Sequence, residues 1–343
     1  MKNILKIVFV IIGTLIGAGF ASGQEIYIFF FSHGIKGLLG IVISSSLMGI
    51  VIYQSLKIIK TEEINTYKEF LDCILKNNKF CKITNIINFV INTFILVTFF
   101  IMIAGFGAYF EQELGIRSII GSCLLAISCF ILFMTSTKGM IKINAILVPI
   151  LISFLGILGV LILPKTPWEN LGNYIIEVNH SNYILNAILY TSYNSILLIP
   201  VLITLKNYLK NKKQIFCIST ITTIITIILS IIIFLILIKV DVDITKLEMP
   251  AVYVISNMFG ILKYGYGFVI LASIFTTAIS LGNSFLNNIS KNKQQYIKIA
   301  IIITSISILV SKIGFSNLVN ILYPIFGYLG FVQILKILIK EKI

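Results

Sequence analysis

The stretch GTLIGAGFASGQE, from Gly13 to Glu25, places glycines at 13, 17, 19 and 23 and a serine at 22, and ends on a carboxylate. Glycine lowers the cost of leaving helical geometry and lets a ligand approach the backbone closely. A helix interrupted near Gly17–Gly19 would expose carbonyls ending one half and N–H groups starting the next, ready partners for a cation and for a carboxylate. The four-residue spacings Gly13 to Gly17 and Gly19 to Gly23 would equally serve close packing of an unbroken helix. Glu25 is the only acidic residue inside an apolar run. Carboxylates at membrane depth are costly and face a cavity or a partner, so Glu25 could pair with a solute ammonium, relay a proton, or bond a neighbouring helix.

Two further segments carry polar chemistry. The run Ser181 to Leu205 has a polar centre, Tyr190 to Ser195, followed by Pro200, which lacks a backbone donor. Either a second broken helix or a proline-kinked continuous one fits it. The run ASIFTTAISLGNSF contains Ser273, Thr276 and Thr277, hydroxyls that cluster on one helical face. With carbonyls from a broken helix they could surround a sodium ion; as ordinary membrane hydroxyls they would bond the preceding turn. His33 and His180 have no histidine or cysteine partners nearby, and the five cysteines form no CxxC spacing, so no transition-metal site is indicated. Paired carboxylates, histidine clusters and nucleophile motifs are missing too, which argues against an enzyme.

The elements that position these residues follow from composition. Of 343 residues, 58% are apolar and 12% charged, with a mean hydropathy of +1.02. Soluble domains average about 25% charged residues, and a bilayer is the medium that absorbs such an apolar excess. Soluble enzyme, nucleic-acid binder, secreted disulfide scaffold and disordered chain are thereby excluded. Ten apolar runs begin near Leu5, Gly37, Thr84, Ser118, Ile141, Asn182, Ile215, Tyr264, Tyr296 and Phe315. The N-terminal run has the shape of a signal peptide but reads as a retained first helix, because nine more runs follow.

With the N-terminus in the cytoplasm, only Lys36, Arg117, Lys165, Lys239, Lys246, Lys263 and Lys312 of the 27 basic residues fall on the outer side. That asymmetry is what the positive-inside rule predicts, and it puts both termini in the cytoplasm. The net charge of +14 is therefore a topology signal. Lys57 to Lys82 reads as a short amphipathic helix at the membrane surface or as a solvated connector. Pro164 to Asn182, with Trp168 as an interfacial anchor, and Asp241 to Lys263 read as outer loops carrying short helices. Ten spans with both termini inside divide into halves of opposite orientation, 1–163 and 181–343, within one transmembrane domain. Inverted halves with discontinuous first helices, spans one and six, are a secondary-transporter signature.

The motif GTLIGAGFASGQEI resembles the opening of the YkvI-type bacterial membrane proteins, which are similar to the amino acid–polyamine–organocation superfamily with its leucine-transporter type five-plus-five fold. The resemblance implies that Gly17, Ala18, Gly19 and Phe20 line a substrate site and that Tyr193 and Asn194 add contacts from span six. It also implies that carbonyls of Gly13 and Ile16 meet Ser273, Thr276 and Thr277 at a sodium site. Glu25 is not a general substrate residue of that superfamily, and its role stays open. The expected function is ion-coupled symport, by sodium or protons, of an amino acid or similar small zwitterion by alternating access. The alternative is a transporter-like sensor that binds such a solute without moving it. The bilayer and the solute are the expected partners, with no cofactor beyond the coupling ion.

Overall fold

A computed structural model of the chain describes residues 2–75, 81–165, 182–240, 247, 249–313 and 315–340. Among these, the regular structure is entirely helical. The first apolar run is not one helix. α1 (Lys2–Leu15) stops, Gly17 is extended, and a single turn, α2 (Ala18–Ala21), precedes α3 (Gln24–Phe29). Gly23, at φ 86°, makes the second corner in a left-handed conformation that costs other residues about 1–2 kcal/mol. The helix restarts at Ala18 itself, directly after the glycine.

The later elements are α4 (Lys36–Thr61), α5 (Tyr67–Leu75), α6 (Cys81–Leu114), α7 (Ser118–Phe133), α8 (Ser136–Ile162), α9 (Tyr183–Thr204), α10 (Lys212–Leu237), α11 (Pro250–Met258), α12 (Leu262–Ile289), α13 (Lys293–Val310) and α14 (Phe315–Lys340). Seven of them, α4, α6, α8, α9, α10, α12 and α13, are long and apolar enough to cross a membrane, and α1 and α7 are shorter apolar helices. Within its apolar window, 89% of α12 and 83% of α9 is buried, against 22% of α13. α9 and α12 bury their central serines, threonines and asparagines away from lipid, while α13 turns Ile301, Ile302 and Leu309 outward. α1 packs on α8, α10 and α12, and α9 lies between α4 and α14.

Span six corrects an expectation: α9 is one continuous helix of 22 residues, not a discontinuous one. Its polar side chains reinforce the helix instead of replacing it. The hydroxyls of Thr191, Ser192 and Ser195 donate to Ala187 O, Ile188 O and Ser192 O at 2.9, 2.7 and 2.8 Å, and the Asn194 amide donates to Tyr190 O at 3.0 Å.

The segment after α4 gives a second correction. α5 is a helix, opened by a reciprocal cap in which Thr66 Oγ1 accepts from Glu69 N–H (3.2 Å) and Glu69 Oε2 accepts from Asn65 N–H (2.7 Å). Its apolar side chains Tyr67, Phe70, Leu71 and Ile74 are buried against α6, α14 and α9, so the bundle, not the membrane surface, receives that face. The same chemistry starts α10 and α13. Asn211 with Gln214 and Asn292 with Gln295 form matching caps, each asparagine Oδ1 accepting from the glutamine N–H at 2.8 and 2.9 Å. Of the two segments expected as outer loops, 166–181, with Trp168 and His180, lies outside the described residues; in the other, α11 is the short helix anticipated.

Candidate functional site

Where α1 ends, its last carbonyls meet a hydroxyl from α12. Thr277 Oγ1 lies 2.8 Å from Gly13 O and 3.2 Å from Ile16 O, so one hydroxyl hydrogen is shared between two acceptors. α12 packs directly against the break, where a Cβ on Gly17 would lie in ordinary contact with the Thr277 side chain at 3.4 Å. Ser273 and Thr276 are buried beside it, but their hydroxyls donate to Ile270 O (2.8 Å) and Ser273 O (3.0 Å) of their own helix. Of the five residues implied for an ion, the structure thus joins Gly13, Ile16 and Thr277. Two carbonyls and a hydroxyl oxygen are hard donors of the kind that hold an alkali or alkaline-earth cation.

The second corner is sealed by other means. Tyr266 Oη donates to Ala21 O at 2.6 Å, Ala251 N–H to Ser22 O at 2.9 Å, and Ser22 Oγ to Gly19 O at 3.1 Å. Buried carbonyls need partners, and here each has its own donor. Only the first corner leaves two carbonyls competing for one hydrogen.

Glu25 sits in the first turn of α3 and is 3% exposed. Its side chain folds back over the interrupted stretch, so that a Cβ on Gly19 would lie 2.8 Å from Glu25 Cγ and closer still to the carboxylate. The Tyr193 hydroxyl of α9 donates to Glu25 Oε2. The Tyr190 hydroxyl and the Phe20 backbone are also within hydrogen-bonding reach of the carboxylate. Aromatic rings wall this group in. Phe29 stacks on Tyr193 at 5.5 Å between centroids, Tyr193 on Tyr323 at 4.8 Å, and Tyr190 meets Tyr193 edge-on at 5.4 Å. Such pairs contribute about 0.5–1.5 kcal/mol each beyond burial.

Of the implied substrate residues, Gly17, Ala18, Gly19 and Phe20 are all buried in the interrupted stretch, and Gly19, Phe20, Glu25 and Tyr193 come together. The Asn194 amide turns to its own helix instead. Sequence reasoning had placed Tyr190 in a polar centre without a role and had no signal for Phe29, Tyr266 or Tyr323, which act through position in space.

Two cavities flank the centre. One, of about 550 Å³, is lined by Ala104, Ala108, Glu111, Tyr253, Lys312 and Phe315. Phe315 and Ala18 both close on Gly105, whose Cβ would meet them at 3.0 and 3.3 Å, so the ring lies between the cavity and the interrupted stretch. The other, of about 270 Å³, lies toward the opposite end of α12 and is lined by residues including Tyr67, Thr137, Pro200, Lys206, Ser284 and Asn288. Among the described residues no three His, Cys, Asp or Glu side chains gather as a metal site.

No family model matches the chain. It is 29% identical over 344 residues to the uncharacterized membrane protein YkvI of Bacillus subtilis, covering 98% of this chain and 95% of the relative. Among solved structures, it superposes with a TM-score of 0.67 on MhsT in complex with L-phenylalanine, at 15% identity over 96% of this chain and 87% of that one. A Na+-coupled sialic acid symporter matches with a TM-score of 0.64, at 13% identity over 95% and 76%. The apolar helices and the membrane-protein relative make this a multi-pass membrane protein. The resemblance read from the first span therefore holds along nearly the whole chain, which is similar to the YkvI-type membrane proteins and has the leucine-transporter type fold.

Proposed function

We propose that the chain is a secondary active transporter that moves an amino acid or similar small zwitterion together with sodium, or with protons, by alternating access in a bacterial plasma membrane. The observation that carries this reading is the break at Gly17, where the Gly13 and Ile16 carbonyls share the Thr277 hydroxyl. A cation there would satisfy both carbonyls and free the hydroxyl oxygen to act as a third ligand, with Ser273 and Thr276 close by on the same helix. Binding would tie α1 to α12 and bias the interrupted stretch toward one arrangement. Supporting it, two proteins of the same fold are a Na+-coupled sialic acid symporter and MhsT, solved in complex with L-phenylalanine.

In this reading residues 1–163 and 181–343 are inverted repeats of five spans each, both termini lie in the cytoplasm, and span six contributes as a continuous helix. The cavity beside Phe315 is then the outer vestibule and that beside Tyr67 the cytoplasmic one. Solute held against Gly17 to Phe20, Glu25, Tyr193 and Asn194 passes from one to the other. The test is uptake by proteoliposomes of each labelled amino acid under an inward sodium or proton gradient. Accumulation that collapses with the gradient is expected. Saturable binding without flux would instead identify a sensor, and no ion-dependent flux or binding for any solute would refute both readings.

A further inference from the structure

Glu25 is the only charged side chain among the described residues buried in the protein. An ionised carboxylate in such surroundings is costly unless a positive or strongly donating partner meets it. Among the described residues that partner is not a lysine, arginine or histidine. The groups facing it are the Tyr193 and Tyr190 hydroxyls and the Phe20 backbone, all neutral. Its seat is equally specific, because Gly19 is the residue whose missing side chain leaves room for the carboxylate over the backbone of the break. Phe29, Tyr190, Tyr193 and Tyr323 form a mutually packed aromatic wall behind it. A carboxyl group has thus been placed in a buried, ring-lined spot beside the interrupted helix, and no cation among the described residues matches it.

We propose that this missing cation is the ammonium group of the solute: it displaces the Tyr193 hydroxyl from Glu25 and binds over Gly19, so that a free amine is obligatory for recognition while a carboxylate is dispensable. The proposal rests on the transport reading above and deepens it by naming the feature that is selected. A charge-assisted N–H bond to a carboxylate is roughly twice as strong as a neutral one, which is why an ammonium outcompetes a phenol for the same oxygen. The phenol is not wasted, since its released oxygen can accept from a second ammonium hydrogen. Sites built around a substrate N–H reject analogues lacking it by large factors, because their own buried polar group is left unpaired. A solute carboxylate would face only backbone N–H groups of the one-turn helix and the ion, partners that water or chloride can replace.

The experiment uses the full chain in proteoliposomes and three matched sets of competitors against uptake of the corresponding labelled amino acid. These are phenylalanine, phenethylamine and 3-phenylpropanoate; leucine, 3-methylbutylamine and 4-methylpentanoate; and alanine, ethylamine and propanoate. In any set whose amino acid is taken up, the amine should inhibit within about tenfold of the amino acid and the acid more than about 100-fold more weakly. Glu25→Gln should abolish uptake of the amino acid together with amine inhibition, while Glu25→Asp, which keeps the charge, should retain both. If Glu25→Gln fails to stay monodisperse, the competitor series on the unaltered protein decides alone. Uptake inhibited equally by acid and amine, or amine inhibition that survives Glu25→Gln, overturns the proposal and leaves transport standing. No ion-dependent uptake or binding of any labelled amino acid in the full screen would remove the transport reading and the proposal together.

Discussion

Spans one and six carry comparable sequence invitations to break, and only one of them does. Span one has glycines at both corners, and the backbone itself departs from helix at Gly17 and Gly23. Span six has four polar side chains and a proline, and remains helical from Tyr183 to Thr204. The difference lies in where the hydrogen bonds go. In α9 the side chains of Thr191, Ser192, Asn194 and Ser195 each donate three or four residues back along their own helix, adding a second donor to a carbonyl of the same turn, although Thr191 also lies 3.0 Å from Ser44 O of α4. In span one the donors come from elsewhere, Thr277 and Tyr266 from α12 and Ala251 from α11. Polar residues within a membrane helix do not by themselves break it; here the second corner takes glycine, at the positive φ of Gly23, and both corners take neighbours able to satisfy what they expose.

The largest effect that can break this comparison falls at Gly19. Gly19→Ala would push a methyl into the Glu25 carboxylate, costing about 1–3 kcal/mol as an overpacked site and abolishing uptake by lifting the carboxylate off the interrupted stretch. Ser195→Ala in α9 removes only a bond within one helix and should cost about 0.6 kcal/mol or less. Thermal unfolding in detergent together with proteoliposome uptake reads both. Equal losses in the two spans would mean that the interrupted stretch has no special role.

Next in size is Thr277→Ala, which leaves the Gly13 and Ile16 carbonyls buried without their shared donor, at about 1–3 kcal/mol. Sodium-dependent stabilisation should vanish in this variant. Thr276→Ala, whose hydroxyl serves its own helix, should keep most of that stabilisation. If thermal shifts with added NaCl fell equally in both, the cation site would not be centred on Thr277.

Much of this arrangement is legible in the sequence, and the limits are physical. Glycine spacing located the corner in span one because backbone freedom is a property of single residues. The polar runs at the centres of α12 and α9 mark buried faces, but α10, with six serines and threonines and half of its window buried, shows that polar content alone does not fix depth. The continuity of span six was not legible, since Thr191, Ser192 and Ser195 have the same composition whether they patch a break or bond their own helix. Nor could the partners of Glu25 be read, because Tyr193 and Tyr323 lie 168 and 298 positions away along the chain and meet it, or its aromatic wall, only after packing. α5 shows the same limit: an amphipathic face announces that something covers it, and not whether lipid or protein does.

A smaller effect is expected at Pro200. Because α9 is already helical through this position, Pro200→Ala should restore the donor absent from the ladder and raise the unfolding midpoint, by about 1 kcal/mol once lost ring packing offsets part of the roughly 3 kcal/mol proline penalty. Transport should persist. A stabilised but inactive variant would show that a kink in span six is required for the cycle, narrowing the contrast between the two spans.

The smallest effect concerns how span six is held at its end. The turn that follows α9 carries Lys206, whose Nζ lies 3.1 Å from Glu63 Oε2 and 2.9 Å from Asn65 Oδ1, tying α9 to the segment before α5. Lys206 beside it holds the Glu63 carboxyl below its ordinary range, first through the hydrogen bond and then through charge. A carboxylate with a lowered value when folded stabilises the protein above its unfolded value, and that contribution disappears as pH falls through the folded one. Glu63→Gln should therefore lower the unfolding midpoint slightly at pH 7, and the gap from the unaltered protein should close on titration toward pH 3. Because the pair is solvent-exposed, about 0.5 M NaCl should shrink the gap as well. Span one, held at its corners by buried neutral donors, should show no matching salt response in Thr277→Ala beyond the sodium-specific one. A gap independent of pH and of added NaCl would mean that Lys206 anchors span six through Asn65 and the Glu63 backbone carbonyl, without the Glu63 carboxylate.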